Sequence, residues 1–461
     1  MLGCWLTLVN GTPYTWTKEV WHQHQMHKDY DVNNFPSNVA PFSKVDCKFI
    51  FDDDGLFKKV SDSECWAEYQ IQGTSSRFQV WLNRKILPNW KLCLSQMKTL
   101  CDQTGTDVDL GFVNDKDVPE YHYNGTTLFI TGVDGLFVTT SRNPVAPWMW
   151  RYKDLIGDRT LRQICMPGTH NSGTGRITRT AFGTPNSAIS CQSGSVWDQL
   201  RLGVRFFDIR PCWSKSGGYA TGHYSENSTP LGKKVFGGSG QTIADIVNNV
   251  NDFTYNNAEV IILNISHDQN LDDGVASWPN SWWSDFCDTE LDRLTHRFCT
   301  DGNGDLSNMK LDEFIGQGRA AVIVRFAFKR SEGHLGHREG NGYYYADSLP
   351  LFDEYADNMD PREVIKHQLG KLNEQRVNPN RQMFILSWAQ TQKTFGDVAE
   401  SYAKTGSSLT ALGKWAMAPR LGYDLIPHTS SKVYPNVLAL DGVDTTQGVA
   451  AAIAINLRAQ P

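Results

Sequence analysis

A chain of 461 residues is too long for one ordinary core, so at least two compact units are expected, one of them large enough to be a barrel. A content of 40% hydrophobic and 20% charged residues excludes the disordered and fibrous classes. The formal net charge of -6 excludes a broad electrostatic footprint for nucleic acid or an anionic membrane, because both need clustered Lys and Arg, and any phosphate recognition is therefore local.

The first segment lacks a basic n-region and no apolar run reaches the length of a membrane span, so neither a signal peptide nor a transmembrane helix is expected. The compartment is then cytoplasmic by default, or extracellular if a leader was removed. Short apolar segments with much alternation follow at 5–9, 48–51, 67–72, 78–82, 128–131 and 136–140. They predict an antiparallel β-sandwich over residues 1–145. Pro144 and Pro147 mark its end, since neither can continue a central strand.

From 146 to 461 the rhythm changes to buried apolar strands alternating with helical patterns, as a parallel sheet covered by helices requires. Strands are predicted at 163–166, 204–210, 260–265, 320–325, 383–387 and 437–440. Helices are predicted at 242–253, where Thr242 can cap the first turn and Ile243, Ile246, Val247 and Val250 share a face, and at 282–297, 362–372 and 449–458. Six visible strands predict an α/β chain with an irregular (β/α) barrel of the TIM type, two of its strands unplaced.

In such a barrel the residues just past the strands converge on one mouth. Here they are His170 and Asn171 after the first strand, Asp208 and Arg210 at the end of the second, His223 in a loop soon after, Arg325 at the end of the fourth and Asp441 after the last. Two histidines, an arginine and two acids suffice to cleave a phosphodiester that carries its own neighbouring hydroxyl. One histidine takes the hydroxyl proton, the other protonates the leaving alkoxide, and the guanidinium neutralises the non-bridging oxygens. Taken singly, each has a plainer explanation: a histidine past a strand is more often structural, and Asp208 with Arg210 can be a buried ion pair.

The runs Trp148-Met-Trp, Leu161-Arg-Gln-Ile-Cys-Met-Pro-Gly-Thr-His-Asn-Ser-Gly, Gln199-Leu-Arg-Leu-Gly-Val-Arg-Phe-Phe-Asp-Ile-Arg and Gly222-His resemble the X-domain signature of phosphatidylinositol-specific phospholipases C, particularly the single-barrel bacterial and fungal members. The resemblance covers about residues 148–461. It implies His170 as general base on an inositol 2-hydroxyl, oriented by Asp441, and His223 as general acid on the lipid oxygen. It also implies Arg210 on the phosphate, Asp208 holding Arg210 or the ring, and Asn171 and Arg325 as substrate contacts. The implied substrate is phosphatidylinositol or a glycosyl-phosphatidylinositol lipid met transiently at a membrane surface, and the implied product a cyclic inositol phosphate. Bacterial relatives usually carry aspartate where this chain has Asn171. Calcium-dependent relatives carry an acid where it has Arg210, so the resemblance implies no cofactor in preference to calcium. The competing readings are a phosphodiesterase for another phospholipid or a glycerophosphodiester, and a catalytically weak lipid- or glycan-binding module.

The remaining signals are weaker. Ten scattered cysteines without a Cys-x-x-Cys pair give no structural zinc or redox motif. His22, His24 and His27 fit no single ligand face, and the segment 301–312 departs from a calcium loop at its sixth and twelfth positions. Asn10, Asn124 and Asn227 head glycosylation sequons. Trp278, Trp282 and Trp283 either touch lipid at the barrel mouth or are buried against it.

Overall fold

The computed structural model describes residues 3–27, 35–52, 63–84, 88–100, 107–109, 125–181, 184–229, 232–300, 304–391 and 409–461. The chain divides into two compact units, 1–143 with 419–430 and 445–460, and 144–418 with 431–444 and the final residue. The Asn124 sequon and residues 301–303 lie outside the described residues.

The first unit has the two sheets of a sandwich, of four and six strands. Their inward residues form one core, including Leu6, Leu8, Phe49, Tyr69, Val80, Trp90 and Ile130. The alternation is clearest in Glu64–Ile71, whose even-numbered residues are half-buried and odd-numbered residues buried. One pairing departs from the expected antiparallel pattern: Gly3–Gly11 runs parallel to Gly125–Thr131. Asn10 is fully buried and donates to the carbonyls of Tyr14 and Val39, which removes it as a glycan acceptor in the folded chain.

The predicted boundary of the second unit needs correction. The helix Gln447–Arg458 belongs with the sandwich, not the barrel. Its residues from Gln447 to Asn456 are all buried, so it is not a surface helix with one apolar stripe. Small side chains allow this packing: a Cβ placed on Gly11 would come within 2.9 Å of the Ala454 Cβ.

The barrel unit contains eight parallel strands, numbered here β1 Met166–Thr169, β2 Phe206–Ile209, β3 Val260–Ile265, β4 Ala321–Phe326, β5 Tyr343–Tyr344, β6 Leu351–Asp353, β7 Met383–Trp388 and β8 Val437–Leu440. They hydrogen-bond in the order β5-β4-β3-β2-β1-β8-β7-β6, with no pairing between β5 and β6. This is the irregular barrel expected, with an open seam. The two strands missing from the sequence reading are the shortest, two and three residues, too brief to carry a hydrophobic period.

The helix Ile243–Asn256 forms as predicted, with the Thr242 hydroxyl accepting from the Asp245 N–H and Ile246, Val247, Val250 and Phe253 buried. Arg205 and Glu259 are both fully buried and meet at 2.6 Å, while Glu259 also accepts the N–H groups of Met149 and Trp150. This pair ties the entry segment to the roots of β2 and β3. Trp278 and Trp283 are buried with Phe286 in the core beside β3 and β4, and Trp282 packs edge-on against Trp213 at 4.6 Å. Of the two explanations for these tryptophans, burial holds for Trp278 and Trp283, while Trp282 is partly buried. No helix among the described residues is long and apolar enough to cross a membrane.

Candidate active site

The strand register builds the site. Thr169 of β1 pairs with Leu440 of β8, so the residues one step further on, His170 and Asp441, lie side by side. The His170 N–H donates to the Leu440 carbonyl, and His170 Nδ1 lies 3.0 Å from Asp441 Oδ1. Gly168 permits this close pairing, because a Cβ there would come within 2.7 Å of Val437. With Nδ1–H donating to Asp441, Nε2 is the nitrogen left to accept a proton.

On β2, Asp208 and Arg210 point to the same side, two residues apart. Arg210 Nε donates to Asp208 Oδ2 at 2.8 Å, and the Asn171 N–H donates to the same oxygen. Ser266, just past β3, donates to Asp208 Oδ1 at 2.7 Å, and the Ser266 hydroxyl in turn meets His267 Nδ1. Burial would raise the Asp208 pKa, but Arg210, His170 and these donors hold it down at about 2. Asp208 is therefore ionised across the working range and committed to Arg210. Arg210 is itself held protonated by Asp208 against the cost of burial.

His223 is not in a loop, as expected, but on the strand Gly218–Thr229, paired with Gly232–Thr242 in a long hairpin that rises from β2. A register shift between Ala220 and Gly222 kinks the hairpin just before the histidine. Gly237, at φ +127, has no alternative here: a Cβ would sit 2.0 Å from the His223 carbonyl. His223 Nδ1 lies 3.0 Å from the Ile189 carbonyl and 3.9 Å from the Cys191 sulfur.

Cys191 was missed by sequence reasoning, and it stands between the histidines. Its sulfur, a ring nitrogen of His170 and a carboxylate oxygen of Asp441 all lie within 4.8 Å of one another. Burial would raise the thiol pKa, but His170 and His223 bring it down to about 6. The reciprocal effect falls on the histidines. Burial lowers each, yet Asp441 and Cys191 raise His170 well above the usual histidine value, and Cys191 raises His223. Gln192 fixes this segment, donating to the carbonyls of both His170 and Leu440. Nothing in the pattern around Ser190-Cys191-Gln192 marks a strand end, so no sequence signal placed it here.

Asn171 is fully buried in a left-handed conformation, φ 43, and neither side-chain polar atom has a hydrogen-bond partner among the described residues. Arg325 of β4 lies in register with Asn264 of β3 and donates to its side-chain oxygen, and to the Leu349 carbonyl. Asp353 of β6 accepts from Ser387 of β7, and burial raises its pKa. Arg325 feels the charge of Asp353, although burial still lowers its pKa to about 10. Asn264, Ser266, His267 and Asp353 were also not foreseen. The first three lie at or just past a strand end that was read correctly, and that position was the available signal.

His170, Asp441, Asp208, Arg210, Asn171 and His223 are thus brought into one polar cluster, and Arg325 forms a second with Asn264 at the ends of β3 and β4. His22 makes a long contact with Glu64, 3.8 Å, and its ring lies 5.9 Å from that of Trp66, while the one cluster of potential metal ligands among the described residues is His170, Cys191 and Asp441.

No protein-family model matches the chain. Over an alignment of 76 positions, 14% of this chain, it is 32% identical to a PI-PLC X domain-containing protein of Dictyostelium discoideum, and this spans 13% of that relative's length. Among solved structures, the phosphatidylinositol-specific phospholipase C of Staphylococcus aureus aligns at a TM-score of 0.46 and 15% identity, covering 68% of this chain and 97% of that one. The phosphatidylinositol-specific phospholipase C of Listeria monocytogenes aligns at a TM-score of 0.38 and 15% identity, covering 69% of this chain and 98% of that one.

Proposed function

We propose that this chain, similar to the X-domain phospholipases C in its motifs, is a phosphodiesterase that cleaves phosphatidylinositol or a glycosyl-phosphatidylinositol lipid by intramolecular attack. The observation that carries the reading is the pairing of His170 Nδ1 with buried Asp441 beside an arginine whose own carboxylate partner stays ionised.

In this mechanism His170 Nε2 takes the proton of the inositol 2-hydroxyl, whose oxygen attacks phosphorus. Negative charge grows on the non-bridging oxygens, where Arg210 stabilises it. His223 donates a proton to the departing glycerol oxygen, leaving diacylglycerol and a cyclic inositol phosphate. Asp441 acts as a positioning residue that fixes the His170 tautomer. Asn171 supplies its backbone N–H to Asp208, and its side-chain amide, without a hydrogen-bond partner among the described residues, is suited to a substrate oxygen. Arg325 and Asp353 are suited to ring hydroxyls further out.

No metal enters the proposal, because Arg210 and Asn171 occupy the Asp208 oxygen that a calcium ion would need. The test is turnover of phosphatidylinositol vesicles by the purified chain in EDTA and in calcium, with phosphorus NMR of the product. Cyclic phosphate appearing equally in both supports the reading. Strict calcium dependence, or turnover only of a glycerophosphodiester, overturns it.

A further inference from the structure

His170, Cys191 and Asp441 offer nitrogen, sulfur and oxygen donors within 4.8 Å of one another, and His223 stands beside them, its Nδ1 donating to the Ile189 carbonyl and lying 3.9 Å from the sulfur. Around a tetrahedral zinc ion, at metal–ligand lengths of about 2.0–2.3 Å, donor atoms are about 3.3–3.8 Å apart. The cluster is therefore within about 1 Å of zinc geometry, a difference that side-chain rotation can absorb. The donor set, thiolate and imidazole with a single carboxylate oxygen, suits a soft or borderline cation and not calcium or magnesium.

The cluster is also held in place. Gln192, next to Cys191, donates to the carbonyls of His170 and Leu440, and Gly442 N–H donates to the Cys191 carbonyl at 2.7 Å. The residue bearing the sulfur is thereby tied to the strand ends that bear the imidazole and the carboxylate. No step of the proposed acid–base cleavage passes through the buried thiol itself, yet it is fastened beside both histidines.

The geometry points to an inhibitory binding site for zinc or a similar thiophilic cation, formed by His170, Cys191 and Asp441 beside His223. Occupancy would engage the proposed base and place a cation beside the proposed acid. A bound cation would also stand beside Arg210, where the substrate phosphate is proposed to lie. The binding step does not depend on the proposed reaction, whereas the inhibition does.

The binding step is tested without substrate. Cadmium is titrated into the full chain while the cadmium–thiolate charge-transfer band is followed, and crystals soaked in zinc are examined for an anomalous peak. The expected results are one equivalent bound with a band lost in Cys191→Ser, and a peak among His170, Cys191 and Asp441. An undiminished band in Cys191→Ser, or zinc only at surface sites, overturns the proposal. The crystal experiment needs no variant, so misfolding of Cys191→Ser leaves the test intact. With turnover as readout, each protein is normalised to its own metal-free rate. The half-inhibitory zinc concentration should rise by more than about tenfold in Cys191→Ser, the scale on which metal sites respond to altered surroundings. Zinc binding at the cluster with unaltered turnover would overturn the inhibitory role alone. A chain with no phosphodiesterase activity that still binds zinc there would instead refute the proposed function.

Discussion

Replacing Asp441 with Asn removes one charge from a site where the geometry fixes what that charge does. Asp441 is almost wholly buried, and its Oδ1 lies 3.0 Å from His170 Nδ1. As a carboxylate it can only accept, so the proton stays on Nδ1 and Nε2 is basic. An asparagine can turn its amide N–H toward Nδ1, which drives the proton to Nε2 and leaves the base in the wrong tautomer. The loss should approach the whole worth of a general base, about 10³-fold in kcat/KM or about 4 kcal/mol of barrier. The pH profile adds a second readout. In the native site Asp441 and Cys191 raise the His170 pKa well above its ordinary value, so the neutral base is lost as pH falls through that raised value. Without the carboxylate the pKa drops, and the acid limb moves to lower pH while the plateau falls. The assay is hydrolysis of a water-soluble inositol phosphodiester across pH 5 to 9, with a melting curve to confirm folding. A folded variant with a plateau within about twofold of wild type and an unmoved limb would refute the reasoning.

His223→Ala should lose about 10²-fold or more on a substrate with an alkoxide leaving group, and much less on one with a nitrophenolate, which needs no proton; equal losses on both would remove it from the acid role. Arg210→Lys keeps the charge but not the planar fork, and kcat/KM should fall by at least about tenfold while Asp208 keeps a cationic partner, as judged by an unchanged melting curve. Asp208 contributes stability that is present above its unfolded pKa and lost as pH falls from there through about 2. The depression from 3.8 to about 2 corresponds to about 2 kcal/mol, so the urea stability gap between wild type and Asp208→Asn should be largest above pH 4 and shrink toward pH 2. Glu259→Gln leaves Arg205 charged and fully buried, and should cost about 3–5 kcal/mol in urea unfolding.

The parallel sheet was legible in sequence because its long strands are fully buried, and a run such as Val260-Ile-Ile-Leu is difficult to house in any other way. The same logic located His170, Asp208, Arg210, Arg325 and Asp441, since a residue at or just past a buried strand end is carried to the mouth. It failed where position depends on something other than a strand. Tyr343–Tyr344 is too short to show a period, His223 depends on a glycine-kinked hairpin, and Cys191 is brought in by Gln192 side-chain hydrogen bonds. The helix Gln447–Arg458 reads as the last helix of a barrel by its place in the chain, and its packing on the first unit's sheet, with Gly11 close to Ala454, shows in the structure alone.

The charges of the site also decide which groups are left to move protons. Asp208, held at about 2 and bound by Arg210, Ser266 and the Asn171 N–H, can neither give nor take a proton near neutral pH. Arg210 is fixed in the opposite sense. Asn171 contributes no charge, so the negative group nearest His223 is the sulfur of Cys191, which raises the pKa of that histidine. A histidine so raised is more fully protonated at neutral pH and serves better as a proton donor, while His170, raised by Asp441, becomes a stronger base once it has lost its proton. The thiol thus supplies to His223 the anionic neighbour that Asn171 does not. Cys191→Ser should accordingly shift the basic limb of the pH profile, where the acid is lost, toward lower pH. An unmoved basic limb in the folded variant would show that the sulfur does not tune His223.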